Sequence, residues 1–102
     1  YMLVSFNDPG VGTPMVSEDS SQLLAAVSAL SPDGGGDCPE LSQTGLLRAI
    51  GAANPDSRVY LFSDATAKDS ALANQVITQA QAQGIELDYA LTGSCSPIDP
   101  AY

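Results

Sequence analysis

The amino-acid sequence predicts an α/β domain built on a parallel β-sheet covered by helices. Three observations carry that expectation. Short apolar runs alternate with longer segments in which Leu, Val and Ile recur every three or four residues. The run Val59-Tyr60-Leu61-Phe62 is apolar at every position, as a strand buried on both faces of a parallel sheet would be. Turn and cap residues separate the segments, and the helical stretches supply the long crossovers that parallel neighbours need.

Taken in order, Tyr1 to Phe6 reads as a strand ending in the turn signal Asn7-Asp8-Pro9-Gly10. Ser17 to Ser21 offers several helix caps, after which Leu23, Leu24, Val27 and Leu30 recur at helical spacing up to Ser31-Pro32. After Asp33-Gly34-Gly35-Gly36 a second helical pattern carries Leu41, Leu46, Leu47 and Ile50 on one face and closes at Asn54-Pro55. Gly45 inside it costs about 1 kcal/mol against Ala, so close packing against the sheet is the expected compensation. A third helix runs from about Asp69 to Gln83, with Gly84 at the position of a C′ glycine. Ile85 to Leu91 forms the last strand and leads into Thr92-Gly93-Ser94-Cys95.

Composition narrows the function. The 102 residues suffice for one domain. Twelve acidic residues stand against three basic ones, Arg48, Arg58 and Lys68, for a net charge of −9. Such a surface repels polyphosphates, which argues against nucleic acid and anionic membranes as partners. The carboxylate surplus suits a divalent cation, although solubility alone also accounts for it. No stretch approaches the about 20 apolar residues of a membrane span, and no membrane insertion is expected. The chain opens inside an apolar run with no initiator Met, which suggests excision from something longer.

Three features could carry chemistry, all after a strand or at a helix start, where open α/β sheets place ligands. In Gly34-Gly35-Gly36-Asp37-Cys38-Pro39-Glu40-Leu41-Ser42, the side chains of Asp37, Glu40 and Ser42 could face a hard cation. Alternatively, Asp37 or Ser42 caps the helix and Glu40 complements its dipole. Asp64, at the end of Val59-Tyr60-Leu61-Phe62-Ser63, is placed either to meet a metal or to cap the following turn. Cys38 and Cys95 are the only cysteines. Two buried thiols are the plain alternative, but in an exported protein the pair is expected to be bridged, a disulfide contributing roughly 4 kcal/mol. The chain has no His and no Cys-x-x-Cys, so zinc, redox and thiol-protease chemistry have little support.

In their order along the chain, these segments resemble the von Willebrand factor type A domain, in the branch found at the start of hemicentins. Gly-Gly-Gly-Asp-Cys-Pro-Glu (34–40) and Ser-Asp-Ala-x-Ala-Lys-Asp (63–69) are the most specific parts, and the resemblance spans essentially all 102 residues. It implies a doubly wound, Rossmann-like parallel sheet with helices on both faces. It also implies a secreted or extracellular adhesion or protein-binding module rather than an enzyme. Its metal-ion-dependent adhesion site would hold Mg²⁺ (or Ca²⁺) and bridge to an acidic group on a protein ligand.

That resemblance assigns Asp64 to the metal through its position after the strand. Asp37 and Glu40, with Ser42 nearby, stand where the family's second loop carries a Thr. The family's Asp-x-Ser-x-Ser loop does not occur in this sequence. The chain is expected to begin at the family's second strand and to stop before the last strands and helices, making the fold incomplete. Metal would then be held weakly or not at all by these residues alone. Tyr1–Phe6 and Val59–Phe62 are expected to be either separated by a strand-wide gap or re-paired in a way the family does not use, and the isolated chain should not be a stable domain. Two other classes compete with adhesion. A metal-independent structural module of a larger extracellular protein fits the same sequence. A Mg²⁺-dependent hydrolase with Asp64 as nucleophile is disfavoured, because no second Asp follows two residues on.

Overall fold

Half of the chain forms a packed βα layer and the other half a thin one, with an open cavity between them. The computed structural model describes residues 1–7, 10–31, 37–93 and 95. The element order is β1 (Met2–Leu3), β2 (Met15–Val16), α1 (Ser20–Ser28), α2 (Ser42–Ala52), β3 (Arg58–Ser63), a 3₁₀ turn (Ser70–Leu72), α3 (Ala73–Gln83) and β4 (Glu86–Leu91). The α/β class holds. The expected turn at Asp8-Pro9, the stop at Pro32 and the glycines 34–36 lie outside the described residues.

The packed layer is β3 and β4, parallel in the register Arg58↔Glu86 to Ser63↔Leu91, with α2 and α3 on one face. Strand side chains alternate between faces. Leu61 therefore joins Leu46 and Ile50 of α2, Val76 and Ala80 of α3, and Ile85 in a single core cluster, flanked by Val59 and Leu87. Ile50 is completely buried. Gly84 adopts the left-handed conformation (φ 68°) that closes α3, as its position predicts.

The expectation that β3 is buried on both faces is corrected. Tyr60 and Phe62 point away from the helices and stay 58% and 72% exposed, their rings stacked 6.5 Å apart. The physical reason is the sheet itself: β3 has a hydrogen-bonded strand neighbour on one edge only, and no helix packs on its second face among the described residues. The apolar run records what this strand can bury, and the fold covers only half of it.

The thin layer begins with β1, which pairs antiparallel with β2 rather than with β3 (Met2↔Val16, Leu3↔Met15). Its α1 is capped by Asp19, whose carboxylate accepts hydrogen bonds from the Ser21 backbone N–H (2.9 Å) and hydroxyl (2.7 Å). These two bonds, the hydroxyl first, hold the Asp19 carboxyl below its usual pKa. The helix packs against β1 but buries none of its residues; Leu24, Val27 and Leu30 remain exposed. The described residues thus form two two-stranded sheets, and the doubly wound sheet with helices on both faces is not present among them.

Among the described residues, α2 is tied to the segment that follows β1 by packing and by hydrogen bonds. Gly45 is buried against Phe6, which bridges to Val11; a Cβ on Gly45 would lie 3.1–3.3 Å from the Phe6 side chain. The helical glycine is compensated by close packing, but against the Phe6 ring beyond β1 rather than against the sheet. Arg48 of α2 donates to the carbonyls of Val11 (2.8 Å) and Gly12 (3.2 Å). Between the layers lies an open cavity of about 1250 Å³, lined from one side by residues of β1 and α1 and from the other by residues of α2 and β3.

Candidate functional site

The loop before α2 and the loop after β3 meet at the carboxyl end of β3. A backbone bridge joins them: the Glu40 N–H donates to the Thr66 carbonyl (3.0 Å) and the Lys68 N–H to the Glu40 carbonyl (2.7 Å). One residue further on, Asp69 reaches the start of α2. Its carboxylate accepts from the backbone N–H groups of Gln43 (3.0 Å) and Thr44 (2.6 Å) and from the Thr44 hydroxyl (2.5 Å). The helix is therefore capped from 25 residues away, and neither Asp37 nor Ser42 is its N-cap. A carboxylate already seated on these donors also closes this helix end to an external anion.

The third tie is the disulfide between Cys38 and Cys95, with Cα atoms 5.9 Å apart. It joins the loop before α2 to the segment leaving β4. There the Thr92 N–H donates to the Ser63 carbonyl (3.0 Å), and Gly93 lies so close to the Asp64 backbone that a Cβ would stand 2.6 Å from the Asp64 carbonyl oxygen. The disulfide alternative is the one the structure adopts.

The four residues nominated as cation ligands fall into two groups. Glu40 and Asp64 both line the cavity between the layers, as do Ser63, Leu46 and Gly45. Asp64 is exposed and Glu40 half-buried, with its Oε2 shielded from solvent. Asp37 and Ser42 do not line the cavity. Asp37 is exposed and held by Lys68, whose Nζ donates to Oδ1 (2.9 Å) and Oδ2 (3.2 Å). Ser42 is completely buried at the first position of α2.

Mg²⁺ requires six oxygens in near-octahedral array, and Ca²⁺ six to eight. Glu40 and Asp64 supply oxygen donors of the right hardness but in too small a number. No group of three or more His, Cys, Asp or Glu able to hold a metal occurs among the described residues. The described side chains as they stand do not fit a complete metal centre.

Sequence reasoning missed four contributors. In the sequence Asp69 stands at the start of the third helix and closes the 63–69 segment; no local pattern marks it as the cap of α2, because its partners are 25 and 26 residues away. Lys68 stands out in the sequence as one of three basic residues and as part of the 63–69 segment, with no sign of its pairing with Asp37. Tyr60 and Phe62 were assigned to a buried core, yet both line the cavity; aromatics at alternate strand positions are the available signal that they share a face.

With this geometry established, the class of protein follows from comparison. A family model described as von Willebrand factor A domain matches residues 1–99, and the chain belongs to that family. Among curated relatives, it is similar to Hemicentin-2 of Mus musculus, 37% identical over 95 residues, which is 93% of this chain and 2% of the relative. Hemicentin-1 of Homo sapiens is 34% identical over 95 residues, with the same two shares, 93% and 2%. The von Willebrand factor A domain-containing protein 7 of Homo sapiens is 32% identical over 98 residues, 96% of this chain and 11% of the relative. The chain thus corresponds to a small part of each relative's length. No solved structure matches significantly. No helix among the described residues is long and apolar enough to cross a membrane.

Proposed function

We propose that this chain is an extracellular adhesion or protein-binding module whose contact surface lies at the carboxyl end of β3. We assign it no catalytic role. The observation that supports this reading is that Glu40 and Asp64 both line the cavity between the layers, in a chain of the von Willebrand factor A family. In the finer reading Glu40 and Asp64 are part of the ligand set of Mg²⁺ or Ca²⁺. The remaining oxygens come from outside these 102 residues, and an acidic group of a protein partner completes the set. Taken alone, the chain holds such an ion weakly or not at all.

A second reading is favoured by one contact. Lys68 already neutralises Asp37, so the loop before α2 has a counter-ion of its own. This suits a metal-independent structural module of a larger extracellular protein.

Binding of the intact protein to a panel of immobilised extracellular-matrix proteins, measured in Mg²⁺, in Ca²⁺ and in EDTA, separates the two. The adhesion reading expects binding that EDTA removes and that Asp64→Ala abolishes while the far-ultraviolet dichroism is retained. Binding that survives both EDTA and Asp64→Ala establishes the metal-independent module instead.

A further inference from the structure

The disulfide between Cys38 and Cys95 joins two segments that are held in unequal ways. We propose that it is a redox latch on the proposed contact surface: a dithiol opens it from the exposed Cys38 side, which frees the chain leaving β4 from the Asp64 loop and leaves α2 in place. This rests on the protein-binding reading above and adds a way in which that surface is switched.

On the α2 side the bond is one hold among several. Two residues beyond Cys38, the Glu40 N–H donates to the Thr66 carbonyl and the Glu40 carbonyl accepts from the Lys68 N–H. Asp69 accepts three hydrogen bonds from Gln43 and Thr44 at the start of the helix. Further along, Leu46 and Ile50 are buried in the core. None of these contacts involves sulfur, so α2 and the loop before it keep their anchors when the bond opens.

On the β4 side the hold is thinner. Pairing with β3 runs to Ser63↔Leu91 and ends with the Thr92 N–H on the Ser63 carbonyl. Past it, Gly93 lies against the Asp64 backbone, and neither Gly93 nor Cys95 makes a backbone–backbone hydrogen bond among the described residues. The sulfur bond therefore fastens this stretch beside the loop that carries Asp64. A partner docking there meets an ordered stretch while the bond is closed and must order it itself once the bond is open, so opening weakens binding.

The two cysteines also differ in access. Cys38 is exposed, whereas Cys95 is only 9% exposed. Exchange requires a thiolate to reach one of the two sulfurs, and Cys38 is the one within reach. The reductant is a dithiol, the chemistry of a thiol–disulfide oxidoreductase. Its thiolate attacks the Cys38 sulfur, the S–S bond breaks, and the electron pair leaves on the Cys95 sulfur, which takes up a proton. The second thiol of the reductant then displaces Cys38, which is protonated in turn. The protein gains two electrons and two protons, and the dithiol becomes a disulfide.

The test compares the intact protein in its oxidised form, after dithiothreitol, and as the double variant Cys38→Ser/Cys95→Ser. A brief glutathione pulse, quenched with acid and mapped by mass spectrometry, should place the mixed disulfide on Cys38 and the free thiol on Cys95. After dithiothreitol, deuterium exchange at the Thr92 amide should rise roughly 10-fold or more, while the amides of Gln43, Thr44 and Ile50 keep their protection. Binding to the immobilised matrix proteins should weaken about 5-fold or more, the lower end of ordinary coupling between sites. The double variant should match the reduced protein and respond no further to dithiothreitol, which separates the effect from reduction elsewhere in the intact protein.

A mixed disulfide on Cys95, or a bond that stays closed in dithiothreitol, overturns the proposal. So does faster exchange that spreads to Ile50, which would make the bond a support of the whole fold. Equal or stronger partner binding by the opened form also overturns the latch, and leaves the protein-binding reading standing. If no protein on the panel binds in either state, that reading and the latch fall together.

Discussion

The two layers of this molecule contain similar apolar patterns and bury them to opposite extents. In α2, Leu46, Ala49 and Ile50 are all buried, whereas in α1 the equally periodic Leu23, Leu24 and Val27 include no buried residue. The difference is in what stands opposite. α2 faces β3 and α3, while α1 touches β1 and then opens on the cavity. Periodicity states which face of a helix needs cover, and the cover itself is a property of the assembled sheet.

The largest effect expected from this contrast concerns the whole chain. With β1 and β3 unpaired with each other and Tyr60 and Phe62 exposed, the isolated 102-residue monomer should lack a reversible cooperative thermal transition well above room temperature. Net stabilities are only about 5–15 kcal/mol, so a layer left without its cover removes a large share. Calorimetry of the isolated chain checks this, and a sharp reversible transition would count against the division into two unequal layers.

In the intact protein, Ile50→Ala should destabilise the domain by about 2–5 kcal/mol, against less than about 0.5 kcal/mol for Leu24→Ala, by denaturant unfolding. Similar costs at the two positions would mean that α1 is covered in the intact protein. Asp69→Ala, which removes the distant cap of α2, should cost about 1–2 kcal/mol and speed amide exchange at Gln43 and Thr44 first.

The smallest effect belongs to α1. The folded-state pKa of Asp19 is lowered from 3.8, so its contribution to the helix is present above the unfolded value and is lost as pH falls through the lower folded one. Between pH 5 and pH 2, the Ser21 amide should lose protection while amides in α3 do not, as read by nuclear magnetic resonance.

Much of the packed layer is legible in the sequence because its determinants are local. The helical stripe of α2, the C′ glycine at Gly84 and the apolar run of β3 each lie within a few residues of what they specify. The disulfide expected between the only two cysteines, Cys38 and Cys95, is the one the structure forms. Less accessible was everything set by neighbours distant in the chain. The open face at Tyr60 and Phe62 depends on which strands pair, the antiparallel pairing of two-residue β1 with β2 is too short to leave a pattern, and the cap on α2 comes from Asp69. At the candidate site, spacing brought Glu40 and Asp64 forward but could not reveal that Asp37 is engaged by Lys68 or that Ser42 is buried.

The three ties at the carboxyl end of β3 also bear on the thermodynamics of recognition. The Glu40–Thr66–Lys68 bridge, the Asp69 clamp and the Cys38–Cys95 bond fix neighbouring backbone segments before any partner arrives. On the proposed reading, a partner meeting this face finds loops whose conformational entropy was lost on folding, so its contacts need not offset the cost of ordering them. Association there should resemble the docking of rigid surfaces, with a small entropic penalty and a rate set by orientation and charge.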